Sequence, residues 1–238
     1  CGIPVEIIEN TKWNVQEWEV PAADCKELRE NGHTDSGVYE IYPYGADSDS
    51  VPAYCDMETM GGGWTVIQKR VDGSLSFYQN WTWYKTGFGT PEENDWIGND
   101  VIHQLTRGNN SSLYVSITLQ NGTSLYELYE KFAISDETEK YKLFLAGPTA
   151  GTLGDSMLNT GDGTRDLSGM YFSTHDRDND KFSYINCAAY GGGWWFKACY
   201  RAFLNGPWYS DSWKWPWYPS VESGSSIKRT LMMIRRHK

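Results

Sequence analysis

The sequence predicts an α+β fold in which a central antiparallel sheet is followed by a long segment without regular structure. Three observations predict this class. Segments rich in alternating apolar or β-forming residues recur between residues 37 and 146 and again near the C-terminus. Two segments begin with Asp or Asn in the pattern of a capped helix. Strand signals fade between residues 147 and 226, where Gly, Asp, Asn, Pro and Trp dominate.

The N-terminal part is expected to consist of short elements around a disulfide. We interpret residues 1–23 as a linker or edge segment that enters the domain. Residues 24–31 predict a short helix that starts at an acidic cap and ends before a glycine. Residues 37–42 alternate and predict a strand, and residues 51–56 predict a second strand that carries a cysteine.

The middle of the chain predicts the strands of the central sheet. Residues 61–70 predict a strand opened by three glycines, and no helix start or Lys-Ser/Thr pair follows them, as a phosphate-binding loop requires. Residues 95–105 predict a helix after a capping Asn or Asp. The remaining predicted strands are 113–120, 126–134, 141–146 and 230–235, the last of which is expected to close the sheet.

The chain of 238 residues is acidic and aromatic, with a formal net charge of −10 and 12 tryptophans. An acidic chain lacks the positive surface that binding to nucleic acid requires. No apolar run approaches the ~18 residues of a membrane-spanning helix. Composition therefore argues against nucleic-acid binding and membrane insertion. Most of the charge serves solubility, and the acidic balance favours divalent cations.

Five cysteines occur in the chain, and none belongs to a C-x-x-C pair of the kind that binds zinc. Their spacing makes Cys25–Cys55 and Cys187–Cys199 the natural local pairs. Cys1 is then left over, which predicts a bond to another chain or to a partner upstream and favours a homo-oligomer.

Three N-x-[ST] sequences mark candidate glycosylation sites at Asn80, Asn110 and Asn121. Such tripeptides also arise by chance. Together with the cysteine pattern, they favour a protein that is secreted and extracellular.

The most informative stretch combines the acidic run 176–180 with the short cysteine loop 187–199, which contains Trp194 and Trp195. It predicts a loop pinned by a disulfide, an oxygen-rich cation site and an aromatic surface. Alternating carboxylates repel one another unless a cation lies among them. A solvated acidic turn is the alternative. An EF-hand is excluded, because Lys181 and Cys187 stand where that loop needs Gly and Glu.

Ordered sequence blocks resemble the fibrinogen-related domain, the C-terminal globular domain of fibrinogen chains, ficolins, tachylectins, tenascins and angiopoietins. The resemblance spans roughly residues 24–236. The matching blocks include Asp24–Leu28, Ser36–Tyr42, Tyr54–Met57, Gly61–Arg70, Gly87–Gly89, Trp96–Asn99, Gly154–Met157, Phe172–Thr174, Asp176–Asp180, Asn186–Ala188, Gly193–Trp195 and Leu204–Gly206. It implies one domain over 24–238 with an N-terminal disulfide part, a central sheet and an irregular part that binds calcium and ligand. It also implies both local disulfides.

The resemblance implies a calcium site in the acidic run. Asp178 and Asp180 would supply carboxylates, and Phe182 and Tyr184 would supply backbone carbonyls. Calcium accepts such mixed oxygen ligands at flexible geometry. The spacing from Asp180 to Cys187 is one residue longer than in many relatives.

The resemblance also implies a pocket for an acetyl group beside this loop. Ala198, Cys199 and Tyr200 would line it, with Tyr190 as a wall and a cis peptide before Cys199. This chain has Tyr200 where ficolins and tachylectins usually carry His. The cysteine loop is one residue short, and residues 207–218 replace the usual glycine-rich loop. From that segment Trp208 and Trp217 are predicted to contact ligand; the alternative is that its tryptophans are buried.

Two functions follow from these expectations. The first is a secreted, calcium-dependent lectin that recognises acetylated carbohydrates such as N-acetyl sugars in innate immunity. The alternative is a protein-binding module, either a receptor ligand of the angiopoietin type or a matrix domain. Fibrinogen-type peptide binding is disfavoured because residues 188–192 lack the acidic residue expected there. An enzyme is not expected, since none of the four histidines lies in a recognisable catalytic motif.

Overall fold

A computed structural model, which describes residues 21–158 and 166–237, has a nine-stranded antiparallel sheet and a separate two-stranded hairpin. The strands are β1 (Gly37–Ile41), β2 (Val51–Asp56), β3 (Trp64–Arg70), β4 (Phe88–Gly89), β5 (Asp95–Trp96), β6 (Ser111–Leu119), β7 (Ser124–Ile134), β8 (Leu143–Gly151), β9 (Lys214–Trp217), β10 (Val221–Ser223) and β11 (Ile227–Arg236). The main sheet has the order β1-β2-β3-β11-β6-β7-β8, and β5 joins β4 to β3. The hairpin is β9-β10. The α+β class with a central antiparallel sheet is confirmed.

The last strand occupies the middle of the sheet. β11 pairs with β3 on one side and with β6 on the other, so it links the N-terminal strands to the central ones. Its alternation places Met232 and Ile234 in the main core, while Met233 packs with Trp64 and Val66 on the opposite face. The segment between β8 and β11, which we call the irregular segment, is therefore inserted between two strands of the same sheet.

In the described residues, three α-helices flank the sheet: α1 (Cys25–Glu30), α2 (Trp81–Thr86) and α3 (Asn99–Thr106). The first starts as predicted, because the Asp24 carboxylate accepts a hydrogen bond from the Glu27 amide at 2.9 Å. The second helix, α2, was not predicted from the sequence, although Asn80 caps it by accepting from the Trp83 amide at 3.0 Å.

The predicted start of the third helix is wrong. Residues 95–96 pair with β3 as a strand, and Gly98 precedes the helix with φ +107°. A backbone with this φ leaves the right-handed helical region, so α3 begins only at Asn99.

The hydrophobic core joins the sheet to the irregular segment through aromatic rings. Trp195 lies 5.1 Å from Phe172 and 6.2 Å from Trp96 between ring centroids, and its indole donates to the Tyr141 carbonyl at 2.7 Å. Trp194 and Trp195 have no exposed surface. The expectation that this pair forms an aromatic surface is wrong, because the rings fill the core against the sheet.

Two disulfides join Cys25 to Cys55 and Cys187 to Cys199, as the spacing and the resemblance imply. Cys1 and the interchain bond expected for it lie outside the described residues. Within residues 21–158 and 166–237, none of the helices is both long and apolar enough to cross a membrane.

Candidate functional site

The acidic run is anchored to the rest of the domain by its first carboxylate. Asp176 accepts a hydrogen bond from the Trp81 amide at 3.0 Å and another from the Thr174 hydroxyl at 2.7 Å. The adjacent Arg177 forms an ion pair with Glu137 at 3.3 Å. Asp176 thus has a structural role at the start of α2, separate from that of the next two aspartates.

Asp178 and Asp180 shape the loop that follows. Asp180 accepts from the amide of Phe182 at 2.7 Å and from that of Cys187 at 2.8 Å, and its own amide donates to Asp178 at 3.1 Å. The four residues predicted to bind calcium, Asp178, Asp180, Phe182 and Tyr184, all line one open cavity of about 530 Å³. The loop therefore brings them together.

The electrostatics of this loop favour a cation. Burial raises the pKa of Asp180, and the neighbouring charge of Asp178 raises that pKa further. A positive ion between the two carboxylates would relieve this repulsion. In the described part of the chain, no cluster of three or more His, Cys, Asp or Glu side chains is placed to hold a metal. Backbone carbonyls and water would have to complete the coordination shell.

The expected acetyl pocket corresponds to a mostly apolar cavity of about 660 Å³ beside this loop, which we name the apolar cavity. Tyr190, Ala198, Cys199 and Tyr200 all line it. Tyr190 ends a 3₁₀ turn (Cys187–Tyr190) capped by an asparagine, and its side chain is 81% exposed.

Tyr200 forms part of an aromatic wall in the apolar cavity. Its ring lies 4.8 Å from that of Phe203 and 5.8 Å from that of Phe196. Burial raises the pKa of the Tyr200 hydroxyl. No residue of the described chain forms a hydrogen bond with this hydroxyl. It is thus available to a ligand as a donor or an acceptor.

The expectation of a cis peptide before Cys199 is wrong for this structure. Among residues 21–158 and 166–237, the cis peptide bond joins Tyr218 to Pro219. The backbone around the cysteine instead turns tightly, and the Lys197 amide donates to the Cys199 carbonyl at 3.0 Å.

The tryptophans of residues 207–218 divide between core and surface. The expectation for Trp217 is wrong: it has no exposed surface, and its indole donates to the Gly154 carbonyl at 2.6 Å. Trp213 is buried as well. Trp208 is half-buried and lines a second cavity, whereas Trp215 is 44% exposed and lines the apolar cavity.

Trp215 is therefore a site residue that was not predicted from the sequence. Its backbone has φ +51°, and the first two residues of β9 are exposed while the last two are buried. Because the strand does not alternate, the sequence pattern gives no sign of which tryptophan faces outward.

Six exposed aromatic or aliphatic side chains gather around these cavities, and we name them the aromatic patch. They are Tyr78, Tyr184, Ile185, Tyr190, Tyr209 and Trp215. The cavities adjoin, because the apolar cavity shares Tyr190 with the second cavity and Ile185 with the acidic loop. The patch is thus one surface.

The three candidate glycosylation sites lie in different settings. Asn110 and Asn121 are exposed. Asn80 is half-buried, its side-chain oxygen caps α2, and the next residue in its sequon, Trp81, is buried. The first two sites have the accessibility that a glycan needs.

The family model described as "Fibrinogen beta and gamma chains, C-terminal globular domain" matches residues 21–237. Bovine fibroleukin is 40% identical over 226 residues, covering 89% of this chain and 50% of fibroleukin. Human angiopoietin-2 is 39% identical over 227 residues, covering 92% and 44%. Ryncolin-4 of Cerberus rynchops is 42% identical over 184 residues, covering 77% and 50%. The chain spans about half the length of these relatives.

Solved structures share the fold. The fibrinogen-like globe domain of human ANGPTL2 superposes with a TM-score of 0.81 at 36% identity, covering 92% of this chain and all of that one. Lamprey fibrin D-dimer, complexed with the peptide Gly-His-Arg-Pro-amide, gives a TM-score of 0.78 at 31% identity, covering 92% and 76%.

Proposed function

The chain belongs to the fibrinogen C-terminal domain family, and from this premise we propose that it is a secreted binding module, not an enzyme, that recognises a protein partner through the aromatic patch. One observation carries the proposal. Six of the eleven exposed large hydrophobic side chains in the described residues belong to this patch. The other five lie elsewhere on the domain.

Such a concentration is typical of an interaction surface. Contiguous exposed apolar area is rare on soluble monomers unless it binds something, and Tyr and Trp are enriched in the centres of protein interfaces. Fibroleukin and angiopoietin-2 are relatives over most of this chain, which supports the protein-binding alternative more than the lectin. The two disulfides and the exposed Asn110 and Asn121 support an extracellular location.

Calcium is proposed as a structural ion of this surface. Asp178 and Asp180 would hold it with the carbonyls of Phe182 and Tyr184. When bound, the ion supplies positive charge between two carboxylates that otherwise repel. Because Tyr184 and Ile185 lie on the same loop and belong to the aromatic patch, ordering the loop would also order one edge of the binding surface.

The test compares matched substitutions inside and outside the patch. The biotinylated domain is titrated against a panel of purified extracellular receptor domains and, separately, a glycan array. Saturable binding to a protein is expected, weakened at least tenfold by Trp215→Ser and by Tyr190→Ser. The controls Trp83→Ser and Tyr44→Ser remove side chains that are 53% and 48% exposed elsewhere and should leave affinity unchanged. Patch variants that bind like the native protein would refute the proposal.

A lectin is the second candidate, because the four residues expected around an acetyl group line one cavity and the Tyr200 hydroxyl has no hydrogen-bond partner among the described residues. N-acetylglucosamine binding is measured for the native protein, Tyr200→His and Tyr200→Ala. A lectin predicts that the histidine variant binds at least as well and that the alanine variant loses affinity. If none of the three binds, the lectin function is rejected.

A further inference from the structure

The second cavity, of about 650 Å³, contains a buried cation in its wall. Arg70 ends β3 and is only 1% exposed. Its guanidinium carbon lies 4.3 Å from the ring centroid of Phe77, 4.7 Å from that of Trp208 and 5.4 Å from that of Trp213. The charge is therefore enclosed by aromatic faces where the sheet meets the irregular segment.

This guanidinium has no anionic partner among the described residues. Its Nη1 atom donates to the backbone carbonyls of Leu204 at 3.0 Å and Gly206 at 2.6 Å. The nearby Asp72 carboxylate accepts instead from Ser74 and Asn94. A buried charge without a counter-ion is costly. Burial accordingly lowers the pKa of Arg70 to about 9.

Unused hydrogen-bond donors accompany the charge. The Nε atom of Arg70 and the Nε1 atom of Trp208 are buried and have no acceptor. The Nη2 atom of Arg70 also donates to none of the described residues. Nε and Nη2 form one edge of the guanidinium, the edge that a carboxylate binds side-on with two parallel hydrogen bonds. The cavity thus offers charge and donors without a matching acceptor.

We propose that this cavity binds a carboxylate, and that the carboxylate is an Asp or Glu side chain of the protein partner. The proposal rests on the protein-binding function proposed above and specifies one anchor of that partner. An entering carboxylate would pair with the free edge of Arg70 and accept from the Trp208 indole. Gly73 supports this indole, since a Cβ there would lie 2.9 Å from the ring.

The neighbouring surface favours a polypeptide over an acidic sugar. The second cavity and the apolar cavity share Tyr190, Gly191 and Pro207, so one extended segment can reach both. A polypeptide can place an acidic side chain in the second cavity, beside Arg70, and an apolar side chain a few residues away in the apolar cavity. A uronic acid carries the same carboxylate but has no apolar group for the apolar cavity.

The experiment uses two matched probes on the folded chain: N-acetyl-glutamate N-methylamide and its neutral glutamine counterpart. Both are titrated into the millimolar range while ¹⁵N NMR follows the Arg70 Nε–H and Trp208 indole N–H resonances. The glutamate probe is expected to shift both resonances saturably, with at least tenfold higher affinity than the glutamine probe. The Trp217 indole, which donates to the Gly154 carbonyl, should not move. Trp208→Phe keeps the aromatic ring and removes the donor, so it should weaken the glutamate probe three- to tenfold.

Several outcomes would overturn the proposal. Absence of a shift in the folded native protein, or equal shifts with the two probes, would show that Arg70 has only a structural role. Shifts with D-glucuronate but not with the glutamate probe would assign the site to acidic sugars. Trp215→Ser should weaken binding of the protein partner without changing the affinity for the glutamate probe. If the probe fails to bind while the protein partner still binds, only this anchor is rejected. If the probe binds but no protein partner is found, only the proposed function is rejected.

Discussion

The sheet and the irregular segment between β8 and β11 are held by different interactions. In the sheet, antiparallel ladders satisfy the hydrogen-bonding groups of the backbone. For example, β6 pairs with β7 on one side and with β11 on the other. In the irregular segment, backbone pairs are scattered, and side-chain acceptors supplement them. Asp176, Asp180 and Asn186 each accept hydrogen bonds from backbone amides. The apolar cavity and the cavity of the acidic loop lie in the irregular segment, and the second cavity lies between this segment and residues 70–78. Side chains can fix backbone shapes in this segment that no ladder allows.

Glycines that pack closely against rings and carbonyls are the second feature that holds the irregular segment in place. A Cβ at Gly191 would lie 2.6 Å from the Phe203 ring, and one at Gly193 would lie 2.7 Å from the Phe172 ring. The glycine run thus lets the backbone lie directly on aromatic rings of the core. In the sheet the glycines differ: a Cβ at the exposed Gly147 of β8 would meet no atom within 4 Å, whereas one at Gly151 of the same strand would lie 2.2 Å from the Glu127 carboxylate.

The largest expected effect therefore comes from adding one methyl group in the irregular segment. Gly192→Ala would place a Cβ 2.4 Å from the Asn205 carbonyl and 2.5 Å from the Tyr84 hydroxyl. Overpacking of this kind should lower the free energy of unfolding by ~3 kcal/mol. Gly147→Ala in β8 is the control and should change it by less than ~0.5 kcal/mol. Denaturant titration compares the two; equal stabilities would contradict the described packing.

Most of the fold could be predicted from the sequence, because strands and helix caps depend on local sequence patterns. It predicted seven of the strands, the α1 cap at Asp24 and a final strand in the sheet. It missed α2 because six residues rich in Trp and Tyr give no helical period. It placed the start of α3 too early, because pairing of β5 with β3 is a long-range contact.

The site was predicted in part, and mainly through family resemblance. The residues expected to bind calcium share one cavity, and those expected around an acetyl group share another. Exposure could not be read from the sequence. Trp194, Trp195 and Trp217 are buried, whereas Trp215 faces solvent. Contacts far apart in sequence, such as those of Trp195 with Tyr141 and of Trp217 with Gly154, accompany this burial. Arg70 gave no signal either, since its missing counter-ion is visible only in three dimensions.

A smaller effect on stability should distinguish the irregular segment from the sheet, because calcium is expected to bind only the first. If the ion binds the folded loop alone, calcium at a hundred times its Kd stabilises the domain by ~2.7 kcal/mol. The melting temperature should fall when a chelator is added, and Asp178→Ala should abolish that response. Asp47→Ala, a change of an exposed carboxylate near the sheet, serves as the control and should retain it. A melting temperature that is insensitive to the chelator in the native protein would reject the site.

The smallest of these effects concerns the weak point of the sheet itself. Burial raises the pKa of Asp95 in β5 to about 7, far above its value in an unfolded chain. The native state therefore holds this proton more tightly, and stability falls as pH rises from about 4 through about 7. Asp95→Asn should remove this loss and add roughly 2 kcal/mol at pH 8, with little gain at pH 4. Urea unfolding across this pH range checks it.

Asp47→Asn provides the matched change at an exposed position. It should leave the pH dependence as in the native protein. If Asp95→Asn proves no more stable than the native protein at pH 8, the carboxylate is stabilised by contacts with Lys69 or water more than its burial suggests, and the sheet lacks this weak point.

Hydrogen exchange of the domain with and without its bound protein partner tests the central claim most directly. The partner is the receptor domain that binds saturably in the panel, and peptides are followed across residues 21–158 and 166–237. We predict slower exchange in peptides that cover residues 182–191 and 205–215, with no change in β7. Protection on the sheet together with unchanged exchange in both patch segments would contradict the claim that the irregular segment carries the binding surface.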